Sequence, residues 1–144
     1  MPSSNQPKLI VGSFMDEADT KCFYGTLRSG QRIETELSVV IVGDVNSGAE
    51  VVAGGDIIVL GKLRGIAHAG AFDESGGGRF VFALSMEPTQ LRIGQVISRG
   101  NDKQKKGRVL KSKNASIAPE IARVDKDVIV VDLYDSKNCM IQKI

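Results

Sequence analysis

Every sixth residue between positions 27 and 69 is aliphatic: Leu27, Ile33, Val39, Val45, Val51, Ile57, Leu63 and Ala69. An α-helix repeats its apolar face at spacings of three and four, so this column does not describe one. The column breaks at Lys21 and at Ser75, which bounds the region that carries it. A longer period of eighteen lies over the six: 21–38, 39–56 and 57–74 align without gaps, superposing Gly25, Gly43 and Gly61, and likewise Leu27, Val45 and Leu63. Six residues per side and three sides per turn describe a triangular parallel β-helix whose coils stack at about 4.8 Å. Such coils bury apolar surface only against one another, so several are needed.

The chain has 144 residues, enough for one domain with a modest core. Aromatic residues make up only 5% and Trp is absent, so that core must be built from Val, Ile, Leu and Ala. About four coils fit. The register pauses at Ser75-Gly76-Gly77-Gly78, which reads as a flexible loop budding from a corner. It resumes at an offset of 23, matching Phe82, Leu84 and Met86 to Val59, Gly61 and Leu63, and residues 89–99 then complete the fourth coil. Residues 100–116 are polar and aperiodic, a basic flexible insertion, and 120–134 reads as a hairpin about Asp125-Lys126-Asp127 that covers an open end. Residues 1–20 read as an N-terminal extension and 135–144 as a tail.

Net charge is only +2, but seven cations fall between Arg99 and Lys113, and the remainder of the chain is net negative. No aromatic residue interleaves with those cations, so the segment lacks a base-stacking platform and no nucleic-acid partner is expected. Cys22 and Cys139 are far apart and show neither zinc-site spacing nor a disulfide framework. No apolar run is long enough to insert in a membrane and no signal peptide is evident, which points to a cytoplasmic chain.

Catalytic signals are weak. His68 is the single histidine and has no assigned partner, Asp73 and Glu74 border a loop, and no phosphate-binding or dinucleotide fingerprint occurs. The expectation is a protein that is not an enzyme and needs no metal or cofactor. The surface is more informative. If odd positions point inward, two sides present mixed polar residues, among them Arg28, Arg32, Glu34, Asn46, Glu50, Arg64 and His68. The third presents Cys22, Tyr24, Val40, Val42, Ile58 and Leu60, an apolar patch that reads as the interface of a symmetric homodimer.

The stretches Arg28-Ser29-Gly30-Gln31, 41–57, 61–71, 86–94 and 118–134, in that order, resemble the C-terminal domain of the septum site-determining MinC family. The resemblance covers roughly residues 26–134 and implies a right-handed β-helix that dimerises and binds MinD, a membrane-associated ATPase, in its ATP-bound state. It also implies contact with the tubulin-like division protein FtsZ, whose assembly the family antagonises, and recruitment to the inner face of the cell membrane through MinD. The family's MinD-binding motif carries over to Arg28, Ser29, Gly30 and Gln31, and Arg64 is a candidate FtsZ contact. Full-length members carry a further N-terminal domain responsible for much of the FtsZ inhibition. About twenty residues precede the repeats here, so the chain reads as an excised domain or a short form. Two other classes share a six-residue aliphatic column: hexapeptide-repeat acyltransferases, for which His68 would be the base, and self-assembling bactofilin-like scaffolds.

Overall fold

The computed structural model describes residues 19–72, 76–99 and 118–135. Within them the chain is all-β. Strands β1 (Thr20–Tyr24), β3 (Ser38–Val42), β5 (Ile57–Leu63) and β7 (Phe80–Met86) form one parallel stack. Strands β2 (Arg32–Thr35), β4 (Glu50–Ala53), β6 (Ile66–Ala69) and β8 (Gln90–Ile93) form a second. The third side of the prism is not a strand. It is a column of single bridges, Leu27 to Val45 to Leu63, pinched between the glycine corner at 25, 43 and 61 and the turn that follows it. The triangular β-helix expected from the sequence is present, with sides of unequal length.

The interior is the aliphatic column. Val39, Val45, Val51, Ile57, Leu63 and Ala69 are buried, Leu27 nearly so, and Ile33 packs partly buried against them in the first coil. Ile41, Val59, Ala49, Ala53 and Ala67 fill the same layer from the intervening inward positions. The layer is filled almost wholly by aliphatic side chains, and the aromatic ring that packs against it, Phe23, stands partly buried in the first coil, in register with Ile41.

The coils do not all repeat at eighteen. Cys22 pairs with Val40, Val39 with Ile57 and Ile33 with Val51, which is the expected register. In the third coil, however, Val51 pairs with Ala67 and Val52 with His68, an offset of sixteen. The gapless alignment therefore fails after Leu63. Gly65 is the cause: it tucks against the carbonyl oxygens of Asn46 and Ala49 where no side chain fits, and the corner closes two residues early.

The fourth coil also departs from the expected match. Met86 does pair with Leu63, but Phe82 pairs with Ile58 and Ala83 with Val59, and a bulge between Val59 and Lys62 absorbs the difference. Phe82 and Leu84 consequently face outward. Residues 89–99 do not complete a coil. β8 turns at Gly94 into β9 (Val96–Arg99), which runs back antiparallel with Ile93 opposite Val96. Gly76–Gly78 form a single 3₁₀ turn, whereas Asp73 and Glu74 lie outside the described residues.

The C-terminal hairpin is formed as expected. β10 (Glu120–Asp125) and β11 (Val128–Leu133) are antiparallel about Lys126 and Asp127, both at positive φ as a tight primed turn requires. β10 pairs antiparallel with β7 and so covers that edge of the sheet. The basic segment 100–116, Cys139 and the two termini lie outside the described residues.

The glycine column makes the stacking testable. A Cβ at Gly61 would enter the Gly43 carbonyl and the Asp44 carboxylate, which itself accepts the Lys62 amide at 2.8 Å. Gly61→Ala is expected to lower unfolding stability by about 1–3 kcal/mol. Gly77→Ala, which points into open space, is expected to leave it unchanged. Equal denaturation midpoints for the two variants would contradict the stacking account.

Candidate functional site

Two exposed features stand out on this prism. The first is the corner between the bridge column and β2, where Arg28, Ser29, Gly30 and Gln31 form a β-turn closed by the Gln31 amide donating to the Arg28 carbonyl at 2.9 Å. Gly30 sits at φ +87°, which a type II turn asks of its third residue and which glycine adopts without strain. All four residues are exposed. The next coil repeats the turn: Ala49 donates to Asn46 at 3.0 Å, and Gly48 has φ +86°.

The two turns are stacked tightly. Gly30 donates to the Gly48 carbonyl at 2.9 Å, Asn46 to the Leu27 carbonyl at 2.9 Å, and Glu50 to the Gln31 carbonyl at 3.0 Å. Ser29 lies so close over Gly48 that a Cβ there would run into its side chain. The structure thus brings the four motif residues into one turn. It adds Arg64 on the same corner two coils on, with its amide donating to the Val45 carbonyl at 2.8 Å.

Charge along the corner is uneven. Arg32 is held by Glu34 at 2.8 Å and by Glu50 at 3.3 Å, a half-exposed network that fastens the first coil to the second. Exposed ion pairs of this kind contribute little stability, about 0–1 kcal/mol. Their effect is to neutralise Arg32. Among the described residues Arg28 and Arg64 make no ion pair, so both guanidinium groups are available to an anionic partner.

The second feature is the outer face of the β1–β3–β5–β7 sheet. Val40 and Ile58 are half-buried, while Tyr24 is 75% and Leu60 43% exposed, with Val42 and Cys22 also outward. The parity expected from the sequence is therefore the observed one. The patch is larger than expected because β7 adds Phe82 and Leu84, and Tyr134 stands edge-on to Phe82 with ring centroids 5.3 Å apart. Sequence comparison missed Phe82 and Leu84 because the offset of 23 assigned them inward partners; allowing for one bulge would have found them.

His68 lies on β6, half-buried on the outer face of the β2–β4–β6–β8 sheet, with Nε2 3.2 Å from the Gly94 carbonyl. That contact ties β6 to the β8–β9 turn. Burial holds its pKa below the ordinary histidine value of 6.5; the Gly94 carbonyl opposes this, and Arg92 adds to it more than Glu50 relieves it. Among the described residues no cluster of three metal-ligating side chains occurs and no helix is long and apolar enough to cross a membrane.

Fold and surface define a class: a short parallel β-helix distinguished by a displayed arginine corner and an apolar sheet face. Residues 21–134 match the family described as "Septum formation inhibitor MinC, C-terminal domain", and the chain belongs to that family. It is 41% identical over 143 residues to a probable septum site-determining protein MinC of Acetivibrio thermocellus, covering 92% of this chain and 58% of that protein. A protein of the same description from Heliobacterium modesticaldum is 47% identical over 111 residues, covering 76% and 34%. The chain therefore spans about half the length, or less, of these relatives. A solved MinC:MinD cell division protein complex from Aquifex aeolicus contains a chain with a TM-score of 0.68 and 38% identity, covering 83% of this chain and 89% of that one. Family membership replaces the acyltransferase and scaffold readings of the six-residue column.

The histidine yields a pH prediction. Because its folded pKa is lowered, the unfolded chain binds the extra proton first as pH falls through about 6.5. His68 therefore stabilises the fold fully above that value and progressively less below it. Thermal unfolding should show Tm falling between pH 7.5 and 5, with a shallower fall in His68→Gln. Identical pH slopes would exclude His68 as a contributor.

Proposed function

We propose that this domain is the docking half of a division-site regulator: a homodimeric β-helix that binds ATP-bound MinD through the Arg28 corner. Through MinD it is held at the inner face of the cell membrane, where it helps to oppose FtsZ assembly at wrong sites. The observation that carries this reading is the exposed turn at Arg28–Gln31, with its uncompensated guanidinium, in a chain of the MinC family that resembles a member of a MinC:MinD complex. A fixed turn loses little conformational freedom on binding, and an arginine there can form a charge-assisted bond with a carboxylate. Arg64, on the same corner, is assigned the candidate contact to FtsZ.

The docking role has a direct test. Arg28→Glu is expected to weaken ATP-dependent co-sedimentation with MinD-coated vesicles by roughly thirtyfold or more, with thermal stability unchanged because the side chain is exposed. Undiminished recruitment would remove the corner from the docking surface.

The dimer is assigned to Tyr24, Val40, Val42, Ile58 and Leu60, extended by Phe82 and Leu84. Aligned on the outer face of one parallel sheet, they make an apolar face of the kind a two-fold contact uses. Val42→Asp combined with Leu60→Asp would bury four carboxylates at that contact. Light scattering should then show a monomer, with dimer affinity reduced on the order of a hundredfold or more. A persistent dimer would move the interface elsewhere.

A further inference from the structure

The corner amide of the first coil meets a different fate from those of the next two. In the second coil Asn46 donates its backbone N–H to the Leu27 carbonyl of the coil before it, and in the third Arg64 donates to Val45 in the same way. The equivalent donor in the first coil is Arg28, and among the described residues no strand precedes β1 to accept from it. Instead the Arg28 amide donates to the side chain of Gln31, at 2.7 Å from Oε1. The Gln31 backbone amide donates in return to the Arg28 carbonyl at 2.9 Å. Gln31 therefore holds both backbone polar groups of Arg28. A backbone N–H can only donate, so the side-chain atom facing it is the oxygen and the amide –NH₂ is turned away.

The residue one coil on supports the same division of labour. Ala49 stands at the position equivalent to Gln31 and is fully buried, and there the corner amide is already satisfied by the coil above. A side-chain acceptor serves the corner amide only where no described coil precedes it.

We propose that Gln31 is a positioning residue: its side chain accepts from the Arg28 amide, to which no preceding coil among the described residues bonds, and so fixes the turn from which Arg28 is presented. Within the Arg-Ser-Gly-Gln motif, Arg28 meets the partner, Gly30 supplies the left-handed backbone, and Gln31 caps the Arg28 amide. This rests on the reading that the corner docks MinD, and it divides that motif into contact and support.

Two measurements test it, one of them in the absence of any partner. Gln31→Met keeps the size of the side chain and removes the acceptor; Gln31→Glu keeps the acceptor. In the free chain, hydrogen exchange at the Arg28 amide should be about tenfold faster in Gln31→Met and near the original rate in Gln31→Glu. MinD binding should weaken about fivefold to tenfold in Gln31→Met. In an Arg28→Ala background the same change should cost less than about twofold, because a residue that acts through another loses its effect when that other is gone. Unchanged exchange in Gln31→Met would overturn the cap. Full additivity with Arg28→Ala would overturn the positioning role and make Gln31 a contact in its own right. Unaltered binding in Arg28→Ala would sink the docking reading, and the exchange measurement would still report on the cap.

Discussion

The backbone ladder between coils is the constraint on which everything else in this molecule depends. Each coil is hydrogen-bonded to the next along both sheets and across the Leu27–Val45–Leu63 bridges, and strands bonded in this way lie only about 4.8 Å apart. At that spacing a corner has no room for a side chain that points along the stack. Gly43 and Gly61 each sit where a Cβ would enter the carbonyl of the coil before. Gly65 does the same beneath the Asn46–Ala49 turn and shortens its coil. An extra residue within the ladder is absorbed as a bulge, as between Val59 and Lys62.

The same ladder leaves the outward positions free to differ. The β1–β3–β5–β7 sheet carries Val40, Val42, Ile58, Leu60, Phe82 and Leu84 outward, whereas its neighbour carries Arg32, Glu34, Glu50, His68 and Arg92. Both have the same backbone and nearly the same interior, so neither choice is required for folding. A charged outer face can stand in water, but an aligned apolar one lowers its free energy when it is covered. Surface chemistry, not fold, separates the two sides.

This division explains what was legible in the sequence. The inward column was readable because burial dictates residue type at every sixth position, and the apolar face because its even positions break the expected alternation. The hairpin was readable from the polar Asp125-Lys126-Asp127 turn between two apolar runs. Register was harder. The sixteen-residue coil is invisible to a gapless alignment because Ala67 and Ala69 fit the interior in either register. The bulge at Val59–Lys62 displaced Phe82 for the same reason: an apolar strand with alternatives on both parities does not announce which way it faces. β9 was mistaken for part of a coil because a parallel and an antiparallel strand share one composition. The Gln31 hydrogen bond carries no sequence pattern at all; it follows from the position of the turn at the end of the described stack.

The geometry of a triangle then relates the two surfaces. Chain order around one coil is β1, the Gly25 corner, the Leu27 bridge, the Arg28–Gln31 turn, and β2. The turn is the vertex between the bridge side and the second sheet, and so it lies opposite the apolar sheet. The two-fold contact proposed for that apolar face would leave both Arg28 corners uncovered. Two such corners on one rigid body can engage two partners on a surface, and the second engagement is intramolecular, which raises apparent affinity without any new contact. The three-sided coil would thus keep the two proposed contact surfaces apart.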